Sequence, residues 1–267
     1  MNRFLGPIEK MRTELRDIVH YSLTLGNDSV NMNGLIDREI SLRYTGRIFC
    51  VSCSKQTKKS FGQGFCYNCF ANSPENAECI IRPELCEAHM GGGRDPEWEK
   101  NHHFHPHYVY LALSNEVKVG VTRHTQVPTR WIDQGASKAI VIAEVPYRQL
   151  AGLIEMELKN HVTDKTNWQR MLKNEVAIDI ELTAKKKEIL EKLPEHLVKY
   201  AVAENHVYEI NYPVLTYPEK IVSQNFDKSP EIKGLLKGIK GQYLIFDGGV
   251  VLNLRNASGY EVELCYE

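Results

Sequence analysis

The sequence predicts an α+β protein, with a small sheet and its helices in the middle and antiparallel β regions near both ends. Alternating apolar residues mark a hairpin at 109–121, and two segments with helix start signals follow it. β-rich segments separated by turns occur at 18–49 and again beyond 207. Neither end alone is rich in strands, so we expect the two terminal β regions to share one sheet or a small barrel.

The hairpin register follows from keeping both apolar sets on one face of the sheet. It pairs Leu113 with Val117, Leu111 with Val119, and Val109 with Val121. This register leaves residues 114–116 as a three-residue turn. The opposite face then carries Tyr108 and Tyr110 beside Lys118 and Gly120, which indicates either a functional surface or a solvated sheet face.

Two helices and a strand should complete this region. Pro128 suits the first turn of a helix that ends near Gly135, and 139–145 is an almost continuously apolar strand. Pro146 opens a longer helix, whose predicted apolar stripe comprises Leu150, Leu153, Ile154, Leu158 and His161. Periodicity places Glu157 inside this stripe and Glu155 at its edge. We expect Glu155 to be the functional carboxylate, because a metal ligand needs access to substrate and water.

Two Cys-x2-Cys pairs, separated by twelve residues, precede the hairpin. They consist of Cys50, Cys53, Cys66 and Cys69. Two such corners place four thiolates tetrahedrally around one zinc ion, as in a zinc ribbon, and a closed set of four cysteines indicates a structural ion. A redox CxxC pair or simple packing of the cysteines are the alternatives.

The region from the hairpin onward resembles the GIY-YIG endonuclease domain in its order of strand, turn, strand, helix, strand and helix. Tyr108-Val109-Tyr110 stands where that family has Gly-Ile-Tyr, and Lys118-Val119-Gly120 where it has Tyr-Ile-Gly. Arg130 matches the arginine of the first helix, Glu155 the metal-binding glutamate and Asn167 a later asparagine. Lys118 departs from the pattern, because the family has a tyrosine there, near the chemistry.

Residues 50–168 resemble more closely an uncharacterised bacterial zinc-binding family that joins a cysteine-rich segment to a GIY-YIG-like domain. The phrases KVGVTR, RWIDQGA and DKTNW carry this resemblance. A cysteine tends to occupy the position of His103 in that family. We therefore expect a second zinc ion on Cys79, Cys86, His89 and His103, against the alternative of a surface histidine run with packed cysteines.

The resemblances divide the chain into a β region at 1–49, a zinc-binding segment at 50–106, a GIY-YIG-like domain at 107–175, and helices with a barrel-like β region at 176–267. The formal net charge of −1 does not by itself indicate a nucleic-acid partner. The start of the sequence does not resemble a secretory signal, and no run of 18 apolar residues occurs. We expect a cytoplasmic protein with reduced thiols and no membrane association.

The leading functional hypothesis is a metal-dependent endonuclease that hydrolyses phosphodiester bonds of DNA or RNA. The resemblance implies that Tyr110 or Lys118 helps generate the nucleophile, that Arg130 stabilises phosphate charge and that Glu155 holds Mg²⁺ or a similar cation. The residues expected to contact substrate are Tyr108, Thr122, Arg123, Trp131 and Asn167.

Two other functions stay open. A non-catalytic DNA- or RNA-binding protein with a degenerate nuclease site is favoured by Lys118, and it would use rings such as Phe65, Tyr67, Tyr108 and Trp131 to stack on bases. A protein-interaction scaffold is the second alternative, in which every motif is structural.

Overall fold

The computed structural model describes residues 1–162, 167–177 and 180–267. Asp164, Lys165 and Thr166 of the DKTNW phrase lie outside the described residues. The chain forms two compact units, unit one from 1–71 with 211–267 and unit two from 72–210. The predicted zinc-binding segment 50–106 extends from one unit into the other. None of the described helices has the length and apolarity to cross a bilayer.

Strands and helices are both present, which confirms the α+β prediction. The strands are β1 (Asn2–Pro7), β2 (Arg12–Glu14), β3 (His20–Leu25), β4 (Asp28–Asn31), β5 (Glu39–Phe49), β6 (Gln56–Thr57), β7 (His107–Leu113), β8 (Val117–Arg123), β9 (Lys138–Val145), β10 (Tyr208–Glu209), β11 (Val222–Gln224), β12 (Glu231–Lys240), β13 (Tyr243–Phe246), β14 (Val250–Asn253) and β15 (Tyr260–Tyr266). The α-helices are α1 (Tyr67–Asn72), α2 (Pro96–His103), α3 (Thr129–Asp133), α4 (Arg148–Lys159), α5 (Trp168–Leu172), α6 (Leu182–Leu190) and α7 (Glu195–Val198).

Unit one is built on a sheet that both ends of the chain share. Its order is β1-β15-β5-β12-β13-β14-β11, with β6 paired to β5, and β2-β3-β4 form a separate sheet. The shared sheet was predicted, but the barrel was not correct, because the described strands end in open edges at β1 and β11. The long strand β12 was missed, since its sequence EIKGLLKGIK contains two glycines and three lysines without clean alternation.

Unit two is built on a four-stranded sheet in the order β10-β9-β7-β8. Leu113 pairs with Val117, Leu111 with Val119 and Val109 with Val121, so the predicted register is confirmed. The turn is also the predicted one, and the Ser114 amide donates to the Glu116 carbonyl across it at 3.2 Å. Tyr208 and Glu209 were expected in the terminal β region, but they pair with β9 at the edge of this sheet.

Helix α4 packs on this sheet through a stripe that differs from the predicted one. Leu150, Ile154 and Leu158 are buried as expected, whereas Leu153 is 38% exposed. Glu157 is exposed on the same outer side, so its predicted burial in the stripe is wrong. The buried face is instead completed by Ala151 and Gly152. Ala151 and Gly152 are small and lie on the buried face of α4, and the periodicity of large apolar residues alone did not predict this.

His107, the first residue of β7, gives a testable dependence of stability on pH. Its side chain is fully buried, and Nδ1 donates to the His105 carbonyl at 2.7 Å. Burial lowers the pKa of His107 to about 3. In the unfolded chain this imidazole binds a proton below about pH 6.5, whereas in the folded chain it does so only near pH 3. The free energy of unfolding therefore decreases as the pH falls from about 6.5 toward 3.

We expect His107→Asn to reduce the dependence of the free energy of unfolding on pH. In urea unfolding between pH 7.5 and 5, the free energy of unfolding of the wild type should fall more steeply, by up to about 1.4 kcal/mol per pH unit below pH 6.5. Equal slopes for the two proteins would show that His107 does not titrate differently on folding.

Candidate metal centres and active site

The four cysteines of the paired motifs form a cluster in unit one, which we call the ribbon cluster. Cys50 and Cys53 lie in the turn after β5, while Cys66 and Cys69 lie at the start of α1. All four sulfurs lie within 4.8 Å of one another, and Cys53 Sγ is 3.9 Å from Cys66 Sγ. A tetrahedral zinc with Zn–S bonds of about 2.3 Å separates its sulfurs by roughly 3.8 Å. The predicted set is therefore brought together with a geometry compatible with zinc.

The surrounding backbone favours a thiolate in this cluster. Burial raises the pKa of the Cys50 thiol, but backbone hydrogen bonds from Cys53, Cys66 and Ser52 outweigh it and lower that pKa to about 6. Burial and hydrogen bonds to the neighbouring thiols raise the pKa of Cys69 to about 12. Four thiols this close cannot all ionise alone, and a divalent cation removes the conflict.

A second cluster lies in unit two, and we call it the mixed cluster. It joins Cys79, Cys86, Glu99 and His103, whose donor atoms lie within 4.8 Å of one another and whose side chains are all buried. His103 Nδ1 is 2.7 Å from Glu99 Oε2 and 3.6 Å from Cys86 Sγ, and Cys79 Sγ is 3.7 Å from Glu99 Oε2. Sulfur, nitrogen and carboxylate oxygen are all zinc ligands, so this set also fits the ion.

Glu99 occupies the place for which His89 was predicted. His89 stacks on Tyr147 with ring centroids 4.4 Å apart, and it is not among the four donors. Glu99 and His103 lie on one face of α2, four residues apart. The signal for this pair was present in DPEWEKNHH, where Asp95 caps a helix and Pro96 starts it. It was missed because the segment was not recognised as helical.

The mixed cluster is attached to α4. Arg148, the first residue of α4, donates to the carbonyl of Cys79 at 3.0 Å and to that of Ile80 at 2.9 Å. Gly152, one turn later, lies against the backbone of Pro83 and Glu84, and a Cβ there would be 2.2 Å from the Glu84 nitrogen. The loop between the two cysteines is thus held on the helix that carries Glu155.

The candidate active site is formed around Tyr110, on the predicted face of the hairpin. Tyr110 pairs with Gly120 across the strands, and its ring occupies the space where a side chain on Gly120 would stand. Its hydroxyl donates to Gln134 Oε1 at 2.9 Å. Burial raises the pKa of Tyr110, although the charge of Arg130 and a hydrogen bond from it act in the opposite direction. Tyr110 is therefore a neutral phenol near pH 7.

Glu155 lies close to this group, whereas Glu157 does not. The Glu155 side chain is 12% exposed, and its carboxylate is 3.6 Å from Lys159 Nζ. Burial raises the pKa of Glu155, while the charges of Lys159 and Arg148 lower it in part. The charges of both Arg130 and Glu155 also act on Arg148. Tyr110, Arg130, Arg148 and Glu155 thus form one electrostatic group, and the charge of Glu84 also acts on Glu155.

The remaining predicted contact residues have different surroundings. Lys118 and Tyr108 are half-buried on the Tyr110 face, Thr122 is buried there, and burial lowers the pKa of Arg123 on the opposite face. Trp131 has no exposed surface and packs edge-on against Tyr110, so the expectation that it stacks on bases is wrong.

Asn167 has a clear local role. Its side chain caps α5 by accepting hydrogen bonds from the amides of Gln169 and Arg170 at 3.0 and 3.2 Å. The position expected to contact substrate thus has its side-chain oxygen engaged as a helix cap.

Comparison with known proteins places the chain by family alone. A family model described as "Protein of unknown function (DUF2797)" matches residues 37–262. This range contains both metal-compatible clusters and the whole Tyr110 site. No curated protein and no solved structure matches the chain.

We expect Cys53→Ser to remove one zinc equivalent from the purified protein. The ribbon cluster would lose one of its four thiolates, whereas the mixed cluster would stay complete. Metal analysis of protein purified without added zinc should show about two equivalents for the wild type and about one for the variant. Cys265→Ser is the matched control, because Cys265 lies in neither cluster. Unchanged zinc in a folded Cys53→Ser protein would contradict this assignment.

The choice between Glu99 and His89 can be tested separately. We expect Glu99→Ala to abolish binding at the mixed cluster, because it removes an anionic donor, and His89→Ala to retain it. Competition of each variant with a chromophoric zinc chelator measures the affinity of the second equivalent. A larger loss with His89→Ala would restore the histidine as the ligand.

Proposed function

This chain belongs to the DUF2797 family, and we propose that its unit two is a metal-dependent phosphodiesterase that acts on nucleic acid. The observation that carries the proposal is the linked group of Tyr110, Arg130, Glu155 and Arg148. The charges of Arg130 and Glu155 act on the buried phenol of Tyr110, and the charge of Arg148 acts on Glu155. Fixed cations beside a half-buried carboxylate match what phosphoryl transfer requires, namely positioning and neutralisation of developing charge.

The two arginines would bind the scissile phosphate. Arg130 is held beside Tyr110, and Arg148 is fixed by its two bonds to backbone carbonyls. Arginine presents a rigid fork that suits phosphate oxygens, and little side-chain freedom is lost when the fork is already held. Lys118, on the same face as Tyr110, supplies a third cation in place of the tyrosine of the GIY-YIG pattern.

Glu155 would hold the divalent cation. Mg²⁺ sites in nucleic-acid enzymes use one or two carboxylates together with water and substrate phosphate, so a single glutamate fits this role. When bound, such a cation supplies charge neutralisation and a bound water of lowered pKa. Burial raises the pKa of Glu155, and the neighbouring charges of Lys159 and Arg148 oppose that effect.

Tyr110 would orient the arginine and the substrate, and it would not accept a proton. Burial raises the pKa of Tyr110 and keeps the phenol neutral, and its hydroxyl donates to Gln134 Oε1. A fixed hydroxyl dipole then holds the arginine and the substrate in register, and Gly120 leaves the space for the ring. This role differs from that implied by the GIY-YIG resemblance, in which a tyrosine hydroxyl helps generate the nucleophile.

We further propose that the ribbon cluster and the mixed cluster each hold one zinc ion. Both donor sets are closed, which suits a structural role. In the mixed cluster two thiolates and a carboxylate carry three negative charges, one more than the 2+ charge of the zinc ion balances. The guanidinium of Arg148, whose charge acts on both thiols, offsets that excess.

A second candidate function is phosphodiester binding without hydrolysis. Two features favour it: the lysine at position 118 and the neutral Tyr110. Arg130 and Arg148 would retain a phosphate anion through charge-assisted hydrogen bonds even when no metal is bound. Metal-dependent cleavage therefore separates the two functions.

We expect Glu155→Gln to reduce Mg²⁺-dependent cleavage of labelled DNA and RNA oligonucleotides by at least about 100-fold, the scale found when a group stabilising transition-state charge is removed. Its free energy of unfolding should change by no more than about 1 kcal/mol. Glu157→Gln is the matched control, since it makes the same change on the exposed side of the same helix.

Equal cleavage by the wild type and both variants would exclude Glu155 as a metal ligand. No cleavage by any of them, with oligonucleotide binding that is lost in Arg130→Ala, would instead establish the non-catalytic function.

A further inference from the structure

The ribbon cluster carries an exposed aromatic group whose role its metal site does not explain. Tyr67 is 67% exposed although it lies between two cysteines of the motif, and Phe70, just after them, is 37% exposed. Phe61 connects the two, with ring centroids 5.6 Å from Tyr67 and 5.9 Å from Phe70. Exposed aromatic rings grouped in this way mark interaction sites on soluble proteins.

Three lysines accompany these rings. Lys59 Nζ lies 5.4 Å from the centroid of the Phe61 ring, and Lys55 and Lys58 are exposed on the same segment between the cysteine pairs. No aspartate or glutamate occurs from 40 to 74. Within the described residues, none of the three lysines has an ion-pair partner. Arg43 and Arg47, by contrast, pair with Glu263 and Glu261.

We propose that this surface, the knuckle patch of Phe61, Tyr67 and Phe70 with Lys55, Lys58 and Lys59, binds unpaired nucleotides. Bases stack on Tyr67 and Phe70, and the lysines contact the phosphates. A stacking ring with a neighbouring cation is the arrangement by which proteins bind single strands without reading their sequence. The inference rests on the proposed function and assigns its substrate class as single-stranded nucleic acid.

The chemistry of the knuckle patch argues against a duplex and against a protein partner. Base faces are accessible only where bases are unpaired, and α1 has six residues, less than two turns, to enter a groove. Protein interfaces are depleted in lysine, whereas half of this patch is lysine. A zinc ion with four thiolates would carry a charge of −2, which the three lysines exceed.

The test is fluorescence anisotropy of the full-length protein with a labelled 20-nucleotide oligo(dT), the matching oligo(rU) and a 20-base-pair duplex, without added Mg²⁺. The wild type should bind the single strands more tightly than the duplex. Tyr67→Ala and Phe70→Ala should each weaken single-strand binding by roughly 5- to 160-fold, the range for the loss of one stacked base. Comparison of oligo(dT) with oligo(rU) distinguishes DNA from RNA as the source of the unpaired strand.

Three controls separate stacking from other effects. Tyr67→Phe keeps the ring and should bind like the wild type, and Leu215→Ala removes an exposed apolar side chain elsewhere in unit one without effect. Lys58→Ala should make the salt dependence of binding shallower by about 0.7 in the log–log slope. Zinc content should equal that of the wild type in every variant.

The outcomes also separate the knuckle patch from the active site. Loss of binding in Tyr67→Ala, with no cleavage by the wild type, would support the patch and refute hydrolysis. Cleavage that depends on Glu155, with unchanged single-strand binding in Tyr67→Ala and Phe70→Ala, would overturn the patch alone. Equal affinity for duplex and single strand, or no binding at all, would also overturn it, and the latter would leave the surface to a protein partner.

Discussion

The contact of Arg148 and Gly152 with the cysteine loop is the constraint on which unit two depends. The guanidinium of Arg148 bonds to the carbonyls of Cys79 and Ile80, and the bare backbone at Gly152 admits the turn at Pro83–Leu85 against α4. The apolar residues Ile80, Ile81 and Leu85 of this loop are exposed, and its buried cluster holds only two alanines and two cysteines. The loop therefore depends on its contacts with this helix. The helix in turn presents Glu155 toward Tyr110.

Charge balance connects the mixed cluster with the candidate active site. Arg148 interacts electrostatically with both, with the thiols of Cys79 and Cys86 and with Glu155 and Arg130. With zinc bound, the arginine offsets one excess negative charge.

The sequence predicted the features that depend on local pattern. Alternation fixed the hairpin register down to each pair, and cysteine spacing identified the ribbon cluster. The errors concern side chains whose environment is tertiary. Glu157 is exposed because α4 turns its small residues inward, and Trp131 is enclosed because Tyr110 and Tyr208 pack on it. Glu99 was missed because its helix has Trp98 as its only large apolar residue, although Asp95 and Pro96 mark the start of that helix.

The topology of unit one also dictates an order of assembly as the ribosome makes the chain. Strand β5 pairs with β12 and β15, and Asn2 of β1 pairs with Tyr266 of β15, so this sheet cannot be completed before residues 260–266 have been translated. Unit two is one continuous segment and is complete much earlier. Unit two can therefore be complete while β5 still lacks β12 and β15, and a strand without its partners in the sheet is prone to aggregation.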